Sequence, residues 1–226
     1  MKRAWAASMA AALTLIAQAA VAPAQSTTGA AATIEVDFLN PGLSPSHWTL
    51  TLHPDGSGHF VAGGGKGMGA DDSDIVAMGV DRDIQLSKEF AEHVFAVARQ
   101  QKLFNEPCES RLKVAFQGTK TLKYSGPDGA GSCSFNYSKN RDIENLGDSM
   151  VAVAGTIMEG QRLELLLVHD PLGLDREIDF LVQAAKDGRA QQLCVIRGIL
   201  TRLADDPAVL NHVRERAGQL LADSKS

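Results

Sequence analysis

From residue 33 to about 140 the apolar positions recur mostly at every second residue, and beyond 141 they recur every three to four. That change of period predicts a β-rich first part and a helical remainder. Trp48, Leu50 and Leu52 alternate with Thr49 and Thr51, Pro54-Asp55-Gly56 supplies turn residues, and His59-Phe60-Val61 leads away. Asp-Gly between alternating runs predicts a hairpin. Ile84 and Leu86 among polar neighbours suggest a third short strand. From Ser87 the period becomes helical, with Phe90, Val94, Val97 and Ala98 on one face. The Ser87 hydroxyl suits an N-cap and Glu89 the positive end of the helix dipole.

A second meander is expected next. Residues 112–116 alternate, Gln117-Gly118 turns, 121–124 returns, and Gly126-Pro127-Asp128-Gly129 turns again before Cys133, Phe135 and Tyr137 share a face. Residues 47–101 and 111–169 therefore read as two units of three strands followed by a helix. Arg82-Asp83-Ile84 and Arg141-Asp142-Ile143 echo each other, too briefly to establish a duplication.

Ile143, Leu146, Met150, Val153, Ala154 and Ile157 stripe a long helix weakened at Gly147, Gly155 and Gly160. Asp170-Pro171 and Asp206-Pro207 each read as an N-cap with proline at the first helical position. Between and after them, Leu193, Ile196, Leu200 and Leu203, then Leu210, Val213, Ala217 and Leu220, mark two further helices. The expected class is α+β: two three-strand antiparallel sheet plus helix units within residues 33–169, then a helical C-terminal region over 170–226.

The N-terminus reads as an export signal over residues 1–24. Lys2 and Arg3 precede an apolar stretch over 4–17, and Ala22-Pro23-Ala24 offers small residues at both recognition positions, so cleavage is expected before Gln25. Ser8, Thr14 and Gln18 weaken a transmembrane reading, and no later stretch is apolar for long enough to span a bilayer. Residues 25–32, small and polar, read as a disordered leader. Loss of Lys2 and Arg3 moves the formal charge from −5 to −7. An acidic chain of this kind argues against a nucleic-acid partner. The expected location is periplasmic or secreted.

Export permits disulfides. Of the three cysteines, Cys108 and Cys133 flank strand-like runs and are the preferred pair, with Cys194 a free core thiol on a helix. Three reduced thiols is the alternative, because connectivity is not readable from spacing.

Four short motifs invite chemistry. Gly147-Asp148-Ser149 lies in helical sequence, where a nucleophilic serine needs a strand-to-turn setting and a partner histidine. Ser110 and Lys113 match Ser-x-x-Lys but fall on a predicted strand, where positions three apart face opposite sides. The glycine-rich run over 63–69 contains Lys66, but Gly67 stands where a phosphate loop needs Ser or Thr. His53 and His59 flank the Asp55-Gly56 turn, with His47 nearby, and are weak candidates for zinc or copper; no further ligand is evident. No catalytic residue and no cofactor are assigned.

The segments Ser44-Pro45-Ser46-His47-Trp48-Thr49-Leu50, Asp55-Gly56-Ser57-Gly58-His59-Phe60, Lys113-Val114-Ala115-Phe116-Gln117-Gly118 and Gly131-Ser132-Cys133-Ser134-Phe135-Asn136-Tyr137-Ser138-Lys139 carry a resemblance, as does Met158-Glu159-Gly160-Gln161-Arg162-Leu163-Glu164. They resemble a group of uncharacterised, signal-peptide-bearing bacterial proteins of the acidobacterial type. The resemblance covers most of the chain after residue 24. It implies bacterial export and no particular chemistry.

The functional expectation is an exported, non-enzymatic binding protein engaging a protein or cell-envelope component. The alternatives are a hydrolase with a site assembled from separate loops, and a small periplasmic metal-binding protein using His53 and His59.

Overall fold

Strand alternation decides where the sheet lies. In β1 (Thr33–Leu39) Ile34, Val36 and Phe38 are buried, and in β2 (His47–Leu52) Trp48, Leu50 and Leu52 are. These positions come from a computed structural model, which describes residues 31–63, 65–66, 76–77 and 79–224. The expected signal over 1–24, most of the leader and most of the glycine-rich run lie outside the described residues.

Beyond β2 the chain forms β3 (Ser57–Ala62), two short paired strands β4 (Gly65–Lys66) and β5 (Val76–Ala77), and β6 (Val80–Gln85). Then come α1 (Lys88–Gln100), β7 (Thr119–Gly126) and β8 (Gly129–Phe135). The helical remainder is α2 (Arg141–His169), α3 (Leu174–Lys186), α4 (Arg197–Asp205) and α5 (Asn211–Asp223). Six strands form one antiparallel sheet in the order β6-β3-β2-β1-β7-β8. The register sets Val36 opposite both Leu50 and Leu122, and Leu50 opposite Phe60, so one face is continuously apolar. That face packs with α1 and the first half of α2 into one core. The expected β2–β3 hairpin is present, and Gly56 occupies its turn at φ +84°, a left-handed conformation that side chains resist.

The class is α+β with helices gathered in the C-terminal part, as expected. The strands, however, join into one sheet, and the seam is β1. Residues 112–116 alternate but form no strand; Leu112, Val114 and Phe116 are exposed. Side chains hold this stretch: Asn136 Oδ1 accepts from Gln117 N at 2.7 Å, Asn136 Nδ2 donates to Ala115 O, and Glu109 Oε2 accepts from Asn136 N. Alternation marks a two-sided segment without saying which edge will pair with it. Arg82-Asp83-Ile84 lies in a strand while Arg141-Asp142-Ile143 opens a helix, so their echo is not a structural repeat.

Ser87 caps α1, its hydroxyl accepting from Phe90 N. Asn140 caps α2. The two Asp-Pro pairs are turn formers and not N-caps: Asp170 Oδ1 accepts from Gly173 N before α3 starts, and Asp206 Oδ1 accepts from Ala208 N before α5 starts. Proline after Asp suits the second position of a turn as well as it suits a helix start.

A second core contains α3, α4, α5 and the end of α2, from Leu163 and Leu166. The last α2 residue of the first core is Ile157. Between the two stretches, Gly160 admits a short 3₁₀ turn over Leu193–Ile196: a Cβ at 160 would lie 2.3 Å from Ile196 Cγ2.

Candidate functional site

Where α2 passes from one core to the other, it turns charged side chains inward. Glu159 and Arg162 are one helical turn apart and so share a face. Glu177 sits in the first turn of α3, beside the buried Leu174 and Ile178. Glu159, Arg162 and Glu177 are only 4%, 3% and 2% exposed. Arg162 Nε approaches Glu177 Oε2 at 2.7 Å, as an ion pair rather than an aligned hydrogen bond. The Glu177 carboxyl lies close enough to that of Glu159 to act on its titration. Burial first, then Glu177, pushes the Glu159 carboxyl well above the usual range, and Arg162 offsets only part of this. Oε1 of Glu159 and Oε1 of Glu177 have no hydrogen-bond partner among the described residues.

Glu159 also lines a cleft of about 360 Å³ between α2 and α3. Ala152 and Gly155 of α2 and Ala184 of α3 keep the space open, and Phe180 and Leu181 supply an apolar wall. Asp148 and Arg189 complete the charged lining. Asp148 receives Lys120 Nζ at 2.6 Å, and the buried Lys120 also reaches Glu144 at 3.4 Å. Arg189 pairs with Asp187 at 3.1 Å and lies 5.6 Å from the centre of the Phe180 ring. The lining therefore offers an apolar body site ending at a buried acid. A titratable group displaced in this way, facing a cavity, is a physical marker of a binding or reactive site. Among the described lining residues there is no serine, cysteine or histidine.

Most residues singled out in the sequence lie elsewhere. His59 directs Nδ1 to Asp83 at 2.8 Å and Nε2 to Asp81 at 3.0 Å, on the exposed side of the sheet. The hydrogen bond with Asp83 holds its imidazole above the ordinary value. His53 belongs to the adjoining turn, and His47 pairs with Asp37 at 2.6 Å. Among the described residues, no group of three or more His, Cys, Asp or Glu is placed to hold a metal ion. Ser149 lies inside α2, and its neighbour Asp148 is held by Lys120. Ser110 donates its backbone N–H to Tyr137 O, while Lys113 points to solvent.

Cys108 and Cys133 form a disulfide, their Cα atoms 5.7 Å apart. Cys194 departs from expectation. It sits on the 3₁₀ turn, not within an α-helix, and is half-buried. Three residues per turn align Leu193 and Ile196 toward the core and leave Cys194 off that line. It lines a broad groove of about 880 Å³ with Ser87 and His93. Burial raises its thiol above the usual value, so little thiolate exists at neutral pH. Titration with an aromatic disulfide reagent, without reductant, should find one thiol per native chain, reacting slowly and faster with rising pH. No second thiol should emerge on unfolding; finding three would remove the bridge.

The charged trio was missed because each member reads as an ordinary helix-surface residue. One signal was present. Residues 150–158 carry no charge on any face, which already implies a helix covered all round, so charges placed just beyond are drawn inside as well.

No family model matches the chain, and no curated protein matches it.

Proposed function

We propose that this chain is an exported, non-enzymatic binding protein that takes a small, largely apolar component of the cell envelope in the α2–α3 cleft. One observation carries the reading: a nearly fully buried carboxyl side chain, Glu159, belongs to the lining of the cleft. Taking a carboxyl out of water beside a cleft is costly, and a ligand that pairs with it recovers part of that cost. Export is supported by the pattern over residues 1–24, by the Cys108–Cys133 disulfide, and by the resemblance to signal-peptide-bearing bacterial proteins. Among the described residues, no helix is long and apolar enough to cross a membrane. The hydrolase alternative draws no support from the cleft, whose described lining residues include no nucleophile–base pair.

The test is thermal unfolding of the mature chain with and without a solvent extract of bacterial envelope. A ligand at about a hundred times its Kd contributes about 2.7 kcal/mol, which for a chain of this size raises Tm by roughly 5–10 °C. Ala152→Leu, which fills the cleft, should fold normally and lose the shift. An unchanged Tm in the wild type would overturn the binding reading, and an equal shift in Ala152→Leu would move the site elsewhere.

A further inference from the structure

We infer that the α2–α3 cleft selects a small organic ammonium ion carrying an apolar body, with its nitrogen held by the Glu159 carboxylate. This deepens the cleft reading above and rests on it.

The argument is a charge count around one atom. Behind Glu159 lie Glu177 from α3 and Arg162 from α2, so two carboxyls face one guanidinium. From the rest of the cleft come Asp148, tied to Lys120 with Glu144, and Arg189, tied to Asp187. With every group ionised these described residues hold five carboxylates against three cations. The surplus negative charge is greatest at the buried pair, and a proton on Glu159 neutralises part of it. That is the physical meaning of its displaced titration.

Three ligand classes compete for this position. An anion would meet two carboxyls, and Arg189, the one cation among the described lining residues, is already engaged by Asp187 and by the Phe180 ring. A neutral hydroxyl or amide could bond to the carboxyl but would leave the charge balance as it was. An ammonium ion supplies the missing positive charge and donates to the carboxyl, and charge-assisted hydrogen bonds are about twice as strong as neutral ones. Its apolar body would lie along Leu181, Val151 and Phe180 in the 360 Å³ space. The exchange balances simply. The ammonium nitrogen keeps its three protons, Glu159 gives up its own to solvent, and one proton is released per ligand bound.

Isothermal titration calorimetry of the full mature chain tests this with three probes of one shape: 2-phenylethylamine, 2-phenylethanol and 3-phenylpropanoate. Titrations run from pH 5 to 8 in two buffers of different ionisation heat. The amine should bind about tenfold or more tighter than the alcohol, and the carboxylate should not bind measurably. Heats should differ between buffers as expected for release of about one proton, and amine affinity should rise about tenfold per pH unit until Glu159 ionises on its own. Glu159→Gln should bring the amine to the alcohol's affinity, and Ala152→Leu should abolish both, which locates binding in the cleft. Equal affinity for amine and alcohol, or no proton release, would overturn the ammonium assignment and leave the cleft reading standing. If none of the probes binds, both fall.

Discussion

Replacing Arg162 with methionine is expected to destabilise the fold by about 3–5 kcal/mol, the usual consequence of removing one partner from a buried ion pair. The loss should lower Tm by roughly 6–20 °C in a chain of this length. Methionine matches the stem of arginine in volume, so packing is largely retained and the loss is electrostatic. Without the guanidinium, Glu177 and Glu159 face each other in the junction between the two cores, and both carboxyls must take up protons or admit water. Glu159→Gln should behave in the opposite sense. Burial and the Glu177 contact raise the Glu159 pKa above its unfolded value of 4.5. The folded chain therefore holds that proton more tightly than the unfolded chain does. Its contribution to stability is fully present below the unfolded pKa and is lost as pH rises through the folded pKa. Glutamine keeps the shape and needs no proton, so the variant should gain on the wild type as pH rises. Urea unfolding at pH 5 and pH 8 measures both effects. An Arg162→Met loss under about 1 kcal/mol, no more than an exposed pair gives, would mean that the trio is solvated. A wild-type-minus-Gln difference that is constant with pH would mean that Glu159 is not protonated in the fold.

The elements that were legible in the sequence are those whose burial has one clean period. Trp48, Leu50 and Leu52 alternate and form β2; Val94, Val97 and Ala98 share a stripe and form the core face of α1. What period alone does not carry is pairing. Residues 112–116 have the alternation of a strand, yet β1 occupies the place beside β7, and the choice was made by contacts distant in sequence, such as Asn136 with Gln117. The Asp-Pro pairs illustrate a second limit, since the same two residues start a helix or make a turn, and the observed helix starts lie four and five residues after the Asp.

The candidate site was less legible still, for a physical reason. A buried charge and a surface charge use the same residue types, and only the environment separates them. Glu159 and Glu177 are drawn inside because α2 and α3 belong to one core, which no local window contains. His53 and His59 drew attention because histidine is a rare ligand type. In the fold, His59 is already satisfied by Asp81 and Asp83 on the exposed sheet face. Rarity of a side chain pointed to the surface, while an ordinary glutamate held the cleft.

Removing the Cys108–Cys133 bridge should destabilise the protein by roughly 3–4 kcal/mol, the chain-entropy value for a closed loop of this size. The bridge spans a sequence separation of 25. It anchors a long stretch that no strand ladder holds, residues 105–118, to β8 at the sheet edge. Cys133 is buried opposite Leu122, whereas Cys108 is half-exposed in the irregular segment. Cys108→Ser with Cys133→Ala therefore suits both environments, and reduced wild-type protein controls for the side-chain change. The remaining ties of the segment are single hydrogen bonds, Ser110 N to Tyr137 O at 2.8 Å and the Asn136 contacts among them. Each neutral one contributes roughly 0.5–1.5 kcal/mol once competition with water is counted, so no single one matches the covalent link. The β7–β8 ladder does not depend on the bridge and should persist. Hydrogen exchange of the reduced protein should accordingly show residues 108–118 losing protection well before β7, and urea unfolding should show the global loss. A reduced protein within about 0.5 kcal/mol of the oxidised one, as weak as a typical surface substitution, would mean that the segment is held by its side chains alone.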